Sequence, residues 1–137
     1  MRITLAAAGA LCAASSAMAA EPIKIGFSMA LTGGLAANGK AALLAMQMWA
    51  DDVNKKGGLL GRPVKLIHYD DQTNPATVPS LYTKLIDLDK VDIVVSPYGT
   101  NLIAPAMPVV MQKGMTMMSL FGVGVNKQFN YDRYFQI

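Results

Sequence analysis

The chain has 137 residues, a formal net charge of +3 and a single cysteine. This length suggests one domain, and a charge so small and scattered argues against a nucleic-acid partner. One cysteine excludes a disulfide within the chain and a cysteine-rich metal site.

The N-terminal segment has the three parts of a secretory signal peptide. Arg2 supplies a positive charge, residues 3–14 are almost all apolar, and Ala17-Met18-Ala19 forms an A-x-A cleavage site. The apolar run is shorter than the roughly 20 residues that span a bilayer. We therefore predict that residues 1–19 are removed on export and that the mature chain lacks cysteine. The alternative is a short N-terminal helix of the folded protein.

The mature chain begins with alternating strand-like and helix-like segments. A strand is predicted over 23–28, a Gly-rich loop over 31–38, a helix over 39–56 and a second strand over 64–69. The helix is predicted from an apolar repeat at i, i+3, i+4 and i+7. That stripe consists of Ala41, Leu44, Ala45 and Met48.

The second half continues the alternation. Asn74 and Pro75 favour a helix start, although Pro79 is tolerated only within a first turn and would move the start towards Thr77. Pro105 and Pro108 weaken the opening of the next helix. The remaining elements are a strand over 92–96, a helix over 102–112, a strand over 115–119, a loop over 121–132 and a strand over 133–137.

This order of elements predicts an α/β fold with a doubly wound parallel sheet. The strands are short and apolar, as expected of strands that helices cover on both faces. Ligands of such sheets bind beyond the carboxyl ends of the strands. The loops at those ends are therefore the candidate ligand-binding segments.

Two of these loops carry candidate binding groups. Tyr98, Gly99 and Thr100 follow the third strand and offer hydroxyls and free N–H groups at a helix start, which favour a carboxylate. The alternative is an ordinary helix cap by Thr100. After the fourth strand, Gly122 permits close approach of a ligand to the backbone, or belongs to a flexible turn. No dinucleotide or Walker A motif is present, so we expect no cofactor.

Signals for catalysis are weak. His68 is the only histidine and no nucleophile is evidently paired with it, so we interpret it as structural. Asp70 and Asp71 could bind a metal or act as acid and base, but such pairs more often cap loops. Trp49 is predicted to lie in the core. We expect no catalytic residue and no metal site; an exported α/β hydrolase using His68 or Asp70 is the weaker alternative.

Several runs in the chain resemble the leucine/isoleucine/valine-binding proteins, the type I periplasmic binding proteins of ABC transporters. Leu31-Thr-Gly-Gly is similar to the family's first loop, and Tyr69-Asp-Asp-Gln-Thr-Asn-Pro75 to its second. The most extensive similarity is Asp51-Asp-Val-Asn-Lys-Lys-Gly-Gly-Leu-Leu-Gly-Arg-Pro63, at the end of the first helix and the following turn.

The resemblance implies a two-lobed, non-catalytic protein of the periplasm that closes around one ligand. The ligand would be an amino acid, an amide or a small aromatic acid, delivered to an ABC permease in the inner membrane. A two-lobed cleft normally needs roughly 250 residues. We therefore expect residues 20–137 to be a truncated first lobe, part of a protein that is monomeric at full length. A ligand sensor of the same fold is an alternative.

The resemblance also implies roles for individual residues. Thr100 takes the position of a hydroxyl that binds the ligand's carboxylate, and Phe121 and Val123 take positions that contact its polar groups. Asn38 stands where an aromatic residue often closes the site. Val123 lacks the hydroxyl common in amino-acid binders and Asn38 is small and polar, and both departures argue against leucine itself within the branched-chain amino acids and related carboxylates or amides that the resemblance implies.

Overall fold

A computed structural model describes residues 20–137, and the predicted signal peptide, residues 1–19, lies outside the described residues. Five parallel strands form one sheet in the order β2-β1-β3-β4-β5. The strands are β1 (Ile23–Met29), β2 (Val64–Asp70), β3 (Ile93–Val95), β4 (Met117–Ser119) and β5 (Tyr134–Gln136). The helices are α1 (Ala36–Lys55), α2 (Val78–Asp87), α3 (Thr100–Gln112) and α4 (Asn126–Phe129).

Helices lie on both faces of this sheet, which confirms the predicted doubly wound α/β fold. On one face α2 and α3 pack together around Tyr82, Leu102 and Met107. On the other face α1 packs through Met46 and Ala50 against residues of β1 and β2. Burial on both faces explains why β1, β3 and β4 lack the apolar-polar alternation of a half-exposed sheet.

The sheet has a topological switch point between β1 and β3. The chain leaves β1 through α1 to reach β2 on one side, and leaves β3 through α3 to reach β4 on the other. Connections that diverge in this way open a crevice at the carboxyl ends of the two strands, where ligands of open α/β sheets bind. The fold thus directs attention to the loops after β1 and β3.

The structure corrects the predicted face of α1. Leu44, Ala45 and Met48 are exposed, and the buried side of the helix carries Gly39 and Met46 instead. Apolar residues surround this helix, so more than one stripe fits its sequence, and packing selects the one that faces β1 and β2. Trp49, predicted to lie in the core, is 44% exposed.

Other boundaries also differ from the predictions. The helix α1 begins at Ala36, so Asn38 lies in its first turn rather than in a loop. The helix α3 is continuous despite Pro105 and Pro108, because its buried residues pack closely against α2 and the sheet. The predicted loop over 121–132 contains the short helix α4.

The start of α2 lies near Thr77, as Pro79 requires. Asn74 is not the N-cap, and its side chain instead accepts a hydrogen bond from the N–H of Ala76 within the preceding turn. Within residues 20–137, none of the helices is both long enough and apolar enough to cross a lipid bilayer.

Candidate functional site

A hydrogen bond crosses the switch point between the first and third strands. Nδ2 of Asn38, in the first turn of α1, donates to the hydroxyl of Tyr98 in the loop after β3, with 3.1 Å between the two atoms. The two residues are 60 positions apart in sequence. They come together because the carboxyl ends of neighbouring parallel strands lie at one edge of the sheet.

The loop after β4 joins this pair. The rings of Tyr98 and Phe121 stack with their centroids 5.0 Å apart, and the N–H of Gly99 donates to the carbonyl of Phe121 over 3.2 Å. A stacked aromatic pair and a backbone hydrogen bond together fix the two loops relative to each other. The resulting surface has an aromatic base and a polar rim at Asn38.

Thr100 and the residues around Gly122 complete the cluster. Thr100 is exposed, and its hydroxyl accepts a hydrogen bond of 3.4 Å from the N–H of Val123. A Cβ atom at Gly122 would lie 2.3 Å from Cδ1 of buried Ile103 and 3.5 Å from Oγ1 of Thr100. Glycine therefore allows this loop to lie directly against the start of α3. Val123 itself is 82% exposed.

The start of α3 offers hydrogen-bond donors. Its N-cap is Gly99, whose φ of 100° lies in the region that favours glycine, and no side chain caps the helix. The alternative of a cap by Thr100 is therefore wrong. Within residues 20–137 the N–H groups of Thr100 and Asn101 make no hydrogen bond. Such groups, together with the helix dipole, favour a negatively charged ligand.

An apolar groove of about 480 Å³ lies beside this cluster, between α1 and the sheet. Trp49 and Met46 line it from the helix, and Val95 and Met118 line it from the strands. Phe121 belongs to both the groove and the polar cluster. The exposure of Trp49 follows from this arrangement, because α1 covers β1 and β2 but leaves this part of the sheet open.

The comparison with known proteins places this arrangement in a family. A sequence model described as periplasmic binding protein matches residues 22–137. The chain is 33% identical over 102 residues to the Leu/Ile/Val-binding protein BraC3 of Rhizobium johnstonii, covering 74% of this chain and 28% of that protein.

The chain belongs to the periplasmic binding protein family.

Two further proteins illustrate how much of a family member this chain represents. The Leu/Ile/Val-binding protein of Escherichia coli K12 is 27% identical over 113 residues, which cover 82% of this chain and 30% of that protein. The substrate-binding protein LivJ of a branched-chain amino acid transporter from Streptococcus pneumoniae, solved with isoleucine, superposes with a TM-score of 0.79. It is 30% identical, and the match covers 85% of this chain and 33% of LivJ. This periplasmic binding protein chain thus spans about a third of the length of the relatives it matches.

The candidate catalytic residues His68, Asp70 and Asp71 make contacts that stabilise the fold of this periplasmic binding protein. The His68 ring stacks on Phe27 at 5.5 Å between centroids, within the sheet. Asp70 and Asp71 accept hydrogen bonds from the loops around them. Among residues 20–137, no three potential metal-ligating side chains lie together. These hydrogen bonds agree with the loop-capping role predicted for the two aspartates.

Sequence reasoning missed two residues that support the loop after β4. Nε2 of Gln136 donates to the carbonyl of Gly122 over 2.8 Å, and the buried Ser96 hydroxyl accepts the N–H of Leu120 over 3.3 Å. The sequence contains a pattern that points to Ser96, because three of the predicted apolar strands each end in a serine. These serines are Ser28, Ser96 and Ser119.

Proposed function

We propose that this chain forms part of the first lobe of a solute-binding protein that serves an ABC importer in the periplasm. It captures a branched-chain amino acid or a related small carboxylate or amide without chemical change. The main support is the cluster at the switch point, where the Asn38–Tyr98 bond adjoins the free N–H groups at the start of α3. The family and the predicted signal peptide support the same function.

Each part of the cluster suits one part of such a ligand. The N–H groups of Thr100 and Asn101 and the Thr100 hydroxyl receive the carboxylate, since a helix start attracts negative charge. The stacked rings of Tyr98 and Phe121 contact the apolar part of the ligand. Asn38 and the backbone at Gly122 and Val123 complete the polar rim, and the permease receives the ligand afterwards.

A second lobe supplies the opposite wall in this proposal. Small-molecule sites typically bury roughly 70–90% of their ligand, and one set of loops at a sheet edge buries much less. Closure of two lobes around a hinge is a common way to complete such a site. We therefore expect residues 20–137 alone to bind only at millimolar concentration or more weakly, and calorimetry on that segment measures this directly.

A thermal-shift screen of the full-length protein tests the function. The ligands are amino acids, amides and small aromatic acids, and a ligand of the native state must raise the melting temperature. Thr100→Val should reduce that shift, whereas Thr83→Val, on the surface of α2, should not. If none of the ligands stabilises the protein, the proposed function is wrong.

A further inference from the structure

The carboxylate of Asp70 holds the loop between β1 and α1. Asp70 is the last residue of β2, and its Oδ1 accepts hydrogen bonds from the N–H groups of Leu31 at 3.0 Å and Thr32 at 3.2 Å. Its Oδ2 accepts the Thr32 hydroxyl at 2.7 Å. One side chain therefore fixes two successive residues of the first loop, and it does so with bonds to a charged acceptor, which are stronger than neutral ones.

Thr73, in the loop between β2 and α2, adds a second connection to the loop between β1 and α1. Its hydroxyl donates to the carbonyl of Thr32 over 2.7 Å and accepts the N–H of Leu35 over 3.2 Å. Leu35 is the N-cap of α1, and no side chain caps that helix from its own sequence. Thr73 thus satisfies a donor at the helix start from the neighbouring loop, which fixes where α1 begins.

The loop between β2 and α2, the second loop, has an unusual backbone conformation that Asp70 and Asp71 hold in place. Gln72 and Thr73 both have positive φ, 58° and 57°. For residues other than glycine this conformation is unfavourable, and it persists where surrounding contacts fix it. Asp70 accepts the N–H of Gln72 at 2.8 Å and Asp71 accepts the N–H of Thr73 at 3.0 Å. The strained turn presents Thr73 to the first loop.

The two loops also touch without any gap. A Cβ atom on Gly33 would lie 2.5 Å from the carbonyl oxygen of Gln72 and 2.7 Å from Oγ1 of Thr73. The first loop therefore rests directly on the second, and Asn38 follows three residues after the N-cap, Leu35. Any displacement of the first loop moves the start of α1, and Asn38 with it.

We propose that Asp70 is a positioning residue for the ligand site: through Leu31, Thr32 and Thr73 it fixes the first turn of α1, so that Asn38 reaches Tyr98 before any ligand arrives. The inference rests on the proposed function in taking Asn38 as part of the ligand site. Asp70 itself lies outside the cluster, and its carboxylate is hydrogen-bonded to Leu31, Thr32 and Gln72. A site arranged in advance binds more tightly because less ordering accompanies binding.

The charge state of Asp70 agrees with this role. Burial raises the pKa of Asp70, but the hydrogen bonds from Thr32, Gln72 and Leu31 together outweigh burial and hold its pKa below the ordinary value. The side chain is therefore ionised at neutral pH, which keeps the bonds to the first loop at full strength.

Hydrogen exchange of the full-length protein tests the positioning without a ligand. Asp70→Ala should speed amide exchange roughly tenfold or more in a peptide covering residues 30–38, since it removes bonds to a charged acceptor. The matched control is Asp92→Ala, which removes a 2.8 Å bond from the N–H of Lys24 at the opposite end of β1. It should leave that peptide unchanged. Equal exchange in wild type and Asp70→Ala, or equal acceleration by both variants, overturns the proposal.

A second variant covers the case in which Asp70→Ala fails to fold. Thr73→Val is nearly isosteric and removes only the bonds to Thr32 and Leu35. It should accelerate exchange in the same peptide, and unchanged exchange overturns the proposal.

Ligand affinity gives the readout that a purely structural role would not change. For any ligand that the thermal-shift screen identifies, Asp70→Ala should weaken binding roughly tenfold while Asp92→Ala leaves it unchanged. Faster exchange with unchanged affinity overturns the positioning role. If the wild type binds none of the ligands, the proposed function fails, and the exchange experiment still decides whether Asp70 fixes the start of α1.

Discussion

Asn38 on α1 and Tyr98 after β3 are joined by a hydrogen bond of 3.1 Å between Nδ2 and the phenol oxygen. Asn38 is exposed and Tyr98 is half-buried. This bond connects α1 to the loop after β3, so its strength measures one of the contacts that hold the two walls of the crevice together.

A double-mutant cycle measures that strength. Asn38→Ala and Tyr98→Phe should each lower the free energy of unfolding by about 1 kcal/mol or less, because the bond is partly solvated. The double variant should show a coupling of about 0.5–1 kcal/mol in urea unfolding. The control pair combines Asn38→Ala with Tyr131→Phe. The Tyr131 hydroxyl donates to the carbonyl of Met115, in the segment before β4, and the effects of this pair should be additive. Zero coupling between Asn38 and Tyr98 would contradict the prediction.

Gly39 determines how closely α1 approaches the end of β1. A Cβ atom at this position would lie 2.0 Å from the carbonyl oxygen of Ala30 and 2.7 Å from its carbonyl carbon. Backbone atoms cannot swing aside as a side chain does. Gly39→Ala should therefore cost roughly 3 kcal/mol in unfolding free energy, at the upper end of overpacking effects.

The matched control for Gly39 is Gly34→Ala. A Cβ atom at Gly34 would meet nothing within 4 Å. Alanine there should change stability by less than about 0.5 kcal/mol or raise it slightly, because it restricts the unfolded chain. Chemical denaturation of both variants compares them, and equal losses would show that the contact with Ala30 is not the cause.

The fold class was predictable from the sequence, because the patterns that indicate strands and helix ends are local. Strands such as 23–28 are short apolar runs, and glycine and proline mark where helices end or begin. The buried face of α1 was not predictable, since Leu44, Met48 and Trp49 make a second apolar side that the sheet does not cover. The helix α4, with four residues, is too short for a periodic signal.

The sequence predicts where the candidate site lies but not which contacts its residues make. The rule that ligand loops follow parallel strands placed Tyr98, Thr100 and Phe121 at one edge of the sheet, and the structure brings them together. The Asn38–Tyr98 bond joins residues distant in sequence and depends on how α1 begins. The connection from Thr73 to the first loop likewise depends on a turn with positive φ, which sequence patterns do not indicate.

Ser28, the next-to-last residue of β1, and Ser119, the last residue of β4, are both buried but differ in their hydrogen bonds. The Ser28 hydroxyl donates to Oδ2 of Asp71 over 2.9 Å, whereas within residues 20–137 the Ser119 hydroxyl has no partner. Ser28→Ala should cost roughly 1–3 kcal/mol, because it leaves a buried carboxylate with one bond fewer. Ser119→Ala should be neutral or slightly stabilising. Urea unfolding of the two variants compares them directly, and a larger loss for Ser119→Ala would contradict this reasoning.

Asp71 should make the chain less stable as pH rises through the acidic range. Burial raises the pKa of Asp71 above its ordinary value, and hydrogen bonds from Ser28 and Thr73 oppose that shift only in part. The negative charge of Asp70 raises it further. A folded-state pKa above the unfolded value means that the folded state binds the proton more tightly. The stability contributed by this group is therefore fully present below the unfolded pKa and is lost as pH rises through the folded pKa.

Asp71→Asn tests this pH dependence. The asparagine oxygen can still accept the N–H of Thr73, and its amide can donate to Ser28, so the packing is retained without the buried charge. The variant should equal the wild type near pH 3 and exceed it in unfolding free energy at pH 7, because only the wild type carries a buried carboxylate there. Asp70 is common to both proteins, so the difference between them reports Asp71 together with its coupling to the charge of Asp70. Unfolding in urea at a series of pH values measures that difference, and a variant that loses stability relative to wild type as pH rises would show that ionised Asp71 is favoured in the folded state.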